Sequence, residues 1–305
     1  QAPALAQDFP NKPIRIVVPY PPGGQSDIFT RLIADAMQKS LNVPVNVENR
    51  AGAGTTLGAG VVAKSPPDGY TLLLAAASAT AITPLTIKSA AFDPKTITPI
   101  TLIAKVPYIL VAAKEFPPNS VAELIAYAKA NPGKVNFGSA GNGGISHLVP
   151  EMLKQAAGIS MTHVPYKAEA AVHSDLFGDL LDFAWANPST ARAQVQGGKM
   201  KVLGVAGTRR VSTMPNVPTF GEQGFAGFDV DSWIGMYAPA RLPADIQAAW
   251  VTALREITAM PDVQARLTGY GFEPLGNTPA QFMQVFTADY PRVAELIKAA
   301  GVTAQ

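Results

Sequence analysis

The stretch that most constrains the fold is Ile14–Lys39, IRIVVPYPPGGQSDIFTRLIADAMQK. Ile14, Ile16, Val17 and Val18 form a β-branched run that reads as a buried strand. Pro19, Pro21 and Pro22 end it, because proline has no N–H to give a sheet ladder. Gly23 and Gly24 allow positive φ or close approach of the backbone to a ligand. From Ser26 the period becomes helical, with Ile28, Leu32, Ile33, Ala36 and Met37 on one face. Ser26 or Asp27 is expected at the N-cap. Strand, glycine turn and helix start together aim unpaired N–H groups and the positive end of a helix dipole at one spot. That is a generic anion site. No Gly-Lys-Ser/Thr follows, so it is not a phosphate-binding P-loop. Taken alone, the stretch also reads as a plain strand–helix turn.

A chain of 305 residues is long for one hydrophobic core, which predicts two domains. With 48% hydrophobic and 15% charged residues, 26 Gly and 27 Pro, the composition suits a loop-rich α/β protein and not a disordered one. A net charge of +2, with no Lys/Arg cluster interleaved with aromatics, argues against a nucleic-acid partner. The absence of cysteine excludes disulfides, a thiolate nucleophile, a lipidated cysteine and Cys-ligated metal. Ala4-Leu5-Ala6 resembles the A-x-A that precedes signal-peptidase cleavage, and QDFPNKP reads as a leader, so a processed N-terminus is expected. The uncharged stretch from Gly69 to Ile87 is broken by Pro84 and dotted with Ser and Thr, too polar for a membrane span.

Along the chain, Val43, Val45 and Val47 alternate as a second strand. Ala51–Gly60, AGAGTTLGAG, then offers Gly52-x-Gly54-x-x-x-Gly58. The spacing departs from the dinucleotide fingerprint and follows the second strand, and Asp68 lies in a Pro-Pro-Asp-Gly turn where it cannot hold a ribose. Glycines permitting tight helix–strand packing are the better reading. Tyr70–Leu74 reads as a third strand and Ala75–Thr83 as a small-residue turn bearing Ser78 and Thr80. Ile100–Ile103 and Ile109–Val111 read as strands flanking Pro107 that cross to a second domain. Ser120-Val121-Ala122-Glu123 has capping-box spacing.

Val135–Ala156, VNFGSAGNGGISHLVPEMLKQA, repeats the first architecture: short strand, Gly/Ser/Asn turn, helix. Ser139, Asn142 and Ser146 offer side-chain donors, and Gly-Ser-Ala-Gly is not a nucleophile elbow. Two such turns, each in its own domain, suggest a cleft gripping an anion at both ends. Further strands are expected at Met161–Val164, Asp182–Trp185, Lys201–Val205 and Val230–Tyr237. Helices are expected at Ala168–Leu176, at Pro243–Ala259 and after the capping box Thr278-Pro279-Ala280-Gln281. Asn187 and Ser189 sit after a strand end where they could face the cleft.

No catalytic constellation stands out. His147, His163 and His173 lack metal-ligand spacing, and no metal or cofactor is expected. His147, in a helix first turn, reads as a ligand donor or a packing residue. His163 reads as a core residue and His173 as solvated. Asp27 could serve as a base, but capping accounts for it.

At the glycine loops the sequence becomes specific. IRIVVPYPPGGQSD, VNVENRAGAGTTLGA, PPDGYTLLL, VNFGSAGNGGISHL, THVPYK and NVPTFGEQGF resemble, in order and over nearly the whole chain, the extracytoplasmic solute receptors of tripartite tricarboxylate transporters, the Bug family. The resemblance implies a periplasmic-binding-protein (type II) fold, two α/β domains joined by hinge strands around a central cleft. The division expected is 1–107 plus 229–305 against 108–228. It also implies export by a cleaved signal peptide and a monomer without catalytic activity. Such a receptor captures a small carboxylate, with an aliphatic or aromatic dicarboxylate favoured, and docks transiently on a two-component membrane transporter. The ligand-binding residues carried over or read from the turns are Tyr20, Pro21, Gly23, Gly24, Ser26, Asp27, Ser78, Ser139, Ala140, Gly141, Asn142, Gly143, Ser146, His147, Asn187 and Trp233. Trp185 and Trp233 could line the cleft, core packing being the stronger reading for Trp185. Two departures stand out. Ala186 replaces an acid carried by many relatives, which speaks against an amino-acid ligand. Ala168-Glu169-Ala170-Ala171 replaces a glycine-rich run after Pro-Tyr-Lys. An α/β hydrolase or dehydrogenase using the same cleft, or a sensory receptor, are the alternatives.

Overall fold

The computed structural model describes residues 9–86, 93–142, 144–225, 228 and 231–299. In chain order the elements are β1 (Ile14–Val18), α1 (Gln25–Leu41), β2 (Val45–Asn49), α2 (Thr56–Ala63), β3 (Thr71–Ala76), α3 (Thr83–Thr86) and β4 (Ile97–Ala113). Then come α4 (Val121–Ala130), β5 (Asn136–Ser139), α5 (Ile145–Ala157), β6 (Thr162–Pro165), α6 (Glu169–Phe177), β7 (Phe183–Ala186), α7 (Pro188–Gln196) and β8 (Met200–Ala206). The chain returns through β9 (Asp231–Pro239), α8 (Ala244–Ala259), α9 (Pro261–Gly269), β10 (Glu273–Pro274) and α10 (Pro279–Ala299).

The sheet order is β2-β1-β3-β9-β4-β7-β5-β6, with β8 and β10 also on β4. The sequence reading of two short strands on either side of Pro107 is corrected: β4 is one strand of 17 residues. Pro107 is tolerated because β4 changes partners there. Up to Pro107↔Asp231 it pairs with β9, and from Tyr108↔Ala206 and Ile109↔Ala186 onward it pairs with β8 and β7. A missing N–H costs least where one ladder ends and another begins. Pro99 sits where the β4–β9 register shifts, again an interruption of the ladder.

Each half of the sheet has its own core. Phe29, Ile33, Met37, Trp250 and Phe272 gather under α1 and α8, while Val17, Trp233, Tyr237 and Phe282 pack on the other face. Beyond Pro107, Phe137, Leu153, Phe183, Trp185 and Phe220 form a separate cluster. In the first half β1 runs parallel to β2 and β3, and in the second β5 runs parallel to β6 and β7. The carboxyl ends of each parallel set therefore share one edge, where α/β sheets bind ligands.

Local geometry explains three further differences from the sequence reading. Gly24, not Ser26 or Asp27, is the N-cap of α1. Asp27 instead turns back from the first turn to accept the Gly23 N–H at 2.9 Å. β3 continues through Ala76, so the small-residue turn starts later, as a π-helical turn at Ser78–Ile82. Gly58 is the glycine that fits its expected packing role: a Cβ there would lie 2.9 Å from Pro19 Cα and from the Arg50 carbonyl. One capping box forms in full and the other in half: Thr278 and Gln281 bond each other reciprocally, whereas Ser120 accepts from Glu123 N–H but the Glu123 carboxylate accepts from Asn119 N–H. Among the described residues no helix is long and apolar enough to cross a membrane.

Candidate ligand-binding site

Two loops sit at the carboxyl edges of the two parallel sets, and they match closely. Loop 1 (residues 19–24) ends on Gly24, the N-cap of α1, at φ −76°, ψ 169°. Loop 2 (residues 140–144) ends on Gly144, the N-cap of α5, at φ −77°, ψ 167°. Neither cap supplies a side-chain hydrogen bond. A helix start without a side-chain cap leaves its first N–H groups to a ligand or to water, at the positive end of the dipole.

Loop 1 is held by Asp27, which is 3% exposed. Its carboxylate accepts from Gly23 N–H at 2.9 Å, from Asn49 Nδ2 at 2.9 Å and from both prongs of Arg31 at 3.0–3.1 Å. Burial alone would raise this carboxyl, but Arg31, Gly23 and Asn49 outweigh it and hold the group below the usual range. Asn49 Nδ2 also donates to the Tyr20 carbonyl at 3.2 Å, tying the end of β2 to the loop. Asp27 thus shapes the site and has no lone pair left over for chemistry on a substrate. The Tyr20 hydroxyl shares a 3.0 Å hydrogen bond with Ser78 Oγ and receives the Ala76 N–H at 3.3 Å. Pro21, Gly23 and Gly24 are exposed, and Ser26 half-buried, in the first turn of α1.

In loop 2, Ser139 ends β5 with its side chain turned inward, 1% exposed. Its Oγ bonds His163 Nε2 at 2.6 Å and the Gly141 carbonyl at 3.0 Å. Ser146 Oγ receives the Ala140 N–H at 3.1 Å, and Gly141 turns the chain at φ +119°. Ala140 and Asn142 are exposed, whereas Gly143 lies outside the described residues. His147 stacks on His163 at 3.8 Å, and His163 on Phe137 at 4.9 Å. Burial first, then the charges of its neighbours, lowers His163 to about 4, and burial lowers His147 as well. The stack is therefore a pair of neutral imidazoles underpinning the loop. A buried serine against a half-buried histidine supports backbone here and presents no nucleophile.

The structure gives the other candidates local partners. Asn187 caps α7, its Oδ1 accepting from Thr190 N–H at 2.9 Å and from Ser189 Oγ at 2.7 Å. Trp233 is 2% exposed and meets Phe282 edge-on in the core, as Trp185 is buried in the other. His173, expected to be solvated, is buried, with Nε2 3.5 Å from the Trp185 carbonyl. Tyr108 lies just past Pro107, where β4 changes partners. Its hydroxyl bonds Ser232 across the β4–β9 pair, and burial raises it well above the usual phenol. Among the described residues no group of three or more His, Cys, Asp or Glu could hold a metal ion. A cavity of about 200 Å³, lined by Lys105, Arg209, Phe272 and Glu273 among others, shares no residue with either loop.

Two α/β lobes, one strand crossing between them and a matched pair of glycine-capped helix starts define a two-lobed solute-binding protein of the periplasmic type. The comparisons with known proteins agree. Residues 29–302 match the family described as tripartite tricarboxylate transporter family receptor, and the chain belongs to that family, one of binding receptors and not of enzymes. The chain is 31% identical to the protein BugT of Bordetella pertussis, covering 98% of this chain and 93% of that one. It is 37% identical to the periplasmic binding protein BugD, with a TM-score of 0.83, over 97% of this chain and 100% of the other. It is also 30% identical to MatC of Rhodopseudomonas palustris, solved with bound malate, with a TM-score of 0.81 over 95% of this chain and 100% of that chain.

Proposed function

We propose that this protein captures a small carboxylate, with dicarboxylates favoured, in the cleft between its lobes. It then hands the ligand to a two-component tripartite tricarboxylate-type transporter in the membrane. The observation that carries this reading is the pair of matched glycine N-caps, Gly24 and Gly144, one on each lobe. Each offers backbone N–H groups and a dipole end worth about 0.3–1 kcal/mol to an anion, and up to about 2 when partly buried. Hydrogen bonds from such groups to an ionised carboxylate add roughly 1.5–3 kcal/mol each. The related MatC is described with malate, which supports the ligand class. The lobes divide as 1–107 plus 229–305 against 108–228, and they close about β4 and β9 on the ligand. The protein works as a periplasmic monomer, exported by a signal peptide.

A thermal-shift panel at fixed salt tests this, comparing aliphatic mono-, di- and tricarboxylates, aromatic dicarboxylates, amino acids and NAD(P). A carboxylate at a hundred times its Kd is expected to stabilise the fold by about 2.7 kcal/mol. A shift confined to the nucleotides would overturn the reading and return attention to Gly52–Gly58.

A further inference from the structure

We infer that Leu148 and Ile297 form an apolar clasp between the lobes at the ligand edge, which holds them together over the ligand and must part before the ligand leaves; this rests on the closure proposed above. α5 divides its buried apolar side chains between two places. Val149 and Leu153 enter the core of their own lobe, whereas Leu148, fully buried, meets Ile297 of α10. Among the described residues these two form a cluster of their own, with Ile145 of α5 and Leu85 of α3 packed against it. By the division given above, α5 belongs to the second lobe, and α3 and α10 to the first. Leu148 is therefore buried against the opposite lobe.

The elements that meet there lead back to both loops. Leu148 lies at the start of α5, just past the N-cap Gly144 of loop 2. Leu85 follows β3, whose carboxyl end shares an edge with that of β1. Its helix continues from the turn Ser78–Ile82, where Ser78 Oγ shares a 3.0 Å hydrogen bond with the Tyr20 hydroxyl of loop 1. The Ser78 carbonyl accepts from Thr83 Oγ1 at 2.8 Å, which ties α3 to that turn. Each side of the clasp is thus linked to one ligand-binding loop. α10 supplies the reach. Its first half is anchored in the first lobe, where Phe282 is fully buried against Trp233 and Tyr237. Pro291 has no N–H to give the Thr287 carbonyl, so the helical ladder is interrupted between that anchor and Ile297. Separation of the lobes at this edge bares Leu148 to water, which apolar burial opposes in proportion to the area uncovered. The clasp favours the closed state through contacts between lobes, so it governs how long a ligand stays more than which ligand is taken.

The chain has no cysteine, so a pair introduced at the clasp can join only to itself within one molecule. The test follows release of radiolabelled malate, or of the tightest member of the carboxylate panel if malate does not bind, from Leu148→Cys/Ile297→Cys. The thiols are expected to join in the loaded protein, and the oxidised form to release the ligand at least tenfold more slowly than the reduced form. Ile297→Ser weakens the clasp without locking it, and is expected to release the ligand at least threefold faster than wild type with its association rate kept. Thiols that fail to join, or equal release in the two redox states, overturn the clasp. Wild-type release from Ile297→Ser with a lowered melting temperature marks the contact as ordinary core packing and overturns it as well. X-ray scattering of the ligand-free double variant separates this inference from the reading it rests on. The reduced protein is expected to have the larger radius of gyration, and equal radii overturn the clasp. If wild type binds no carboxylate of the panel, the carboxylate reading fails and scattering alone decides the clasp.

Discussion

Asp27 and His163 show how single residues hold the two loops. Asp27 brings the Gly23 N–H, Asn49 and both prongs of Arg31 to one carboxylate. Removing one partner of a buried charged network leaves the others unsatisfied. Asp27→Ala is expected to cost about 3 kcal/mol in denaturant unfolding and to weaken carboxylate binding at least tenfold. A loss below about 1 kcal/mol would mean that loop 1 is held by other means. His163 makes a pH prediction. Its folded value is about 4 against an ordinary 6.5, so between those limits the unfolded chain takes up the proton more readily. Stability is full above about pH 6.5 and is lost as pH falls toward 4, at up to about 1.4 kcal/mol per unit. His147 acts in the same sense, while the raised carboxyls of Asp182 and Glu169 oppose it. The difference between wild type and His163→Gln isolates the histidine: the melting temperature of the variant is expected to fall less between pH 7 and 4.5. Parallel profiles would contradict this.

At the scale of elements, much of the fold was legible and the exceptions have physical causes. β1, α1, β5 and α5 follow from β-branched runs, glycine turns and helical periodicity. The N-cap of α1 was misplaced because Asp27 and Ser26 are good cap residues by type, yet Asp27 has stronger partners in Arg31 and Asn49. β4 was read as two strands because Pro107 normally breaks a ladder. Its tolerance depends on a change of strand partners, which lies far away in sequence. His173 looked polar and hence exposed, but α6 turns it onto the Trp185 carbonyl. The Gly52–Gly58 run was read correctly as packing at Gly58. Gly58→Val is expected to destabilise the protein by about 1–3 kcal/mol through overpacking against Pro19 and Arg50, with ligand affinity kept in the folded fraction. Full stability by circular dichroism melting would show that α2 stands off from β1.

For the molecule as a whole, the central claim is that one carboxylate ligand is gripped from both lobes. Gly24 and Gly144 make that claim separable from folding. A Cβ at Gly24 would come no nearer than 3.6 Å to the Pro21 carbonyl, and one at Gly144 no nearer than 3.9 Å to that of Gly141. Both residues also have negative φ, so side chains fit without backbone strain. The measurement that tests the claim most directly is calorimetric titration of the best carboxylate into wild type, Gly24→Val and Gly144→Val. Each variant is expected to melt within a few degrees of wild type and to bind at least tenfold more weakly, because the new side chain stands where the ligand meets the helix start. Undiminished affinity in either variant would contradict the two-sided grip and place the ligand elsewhere.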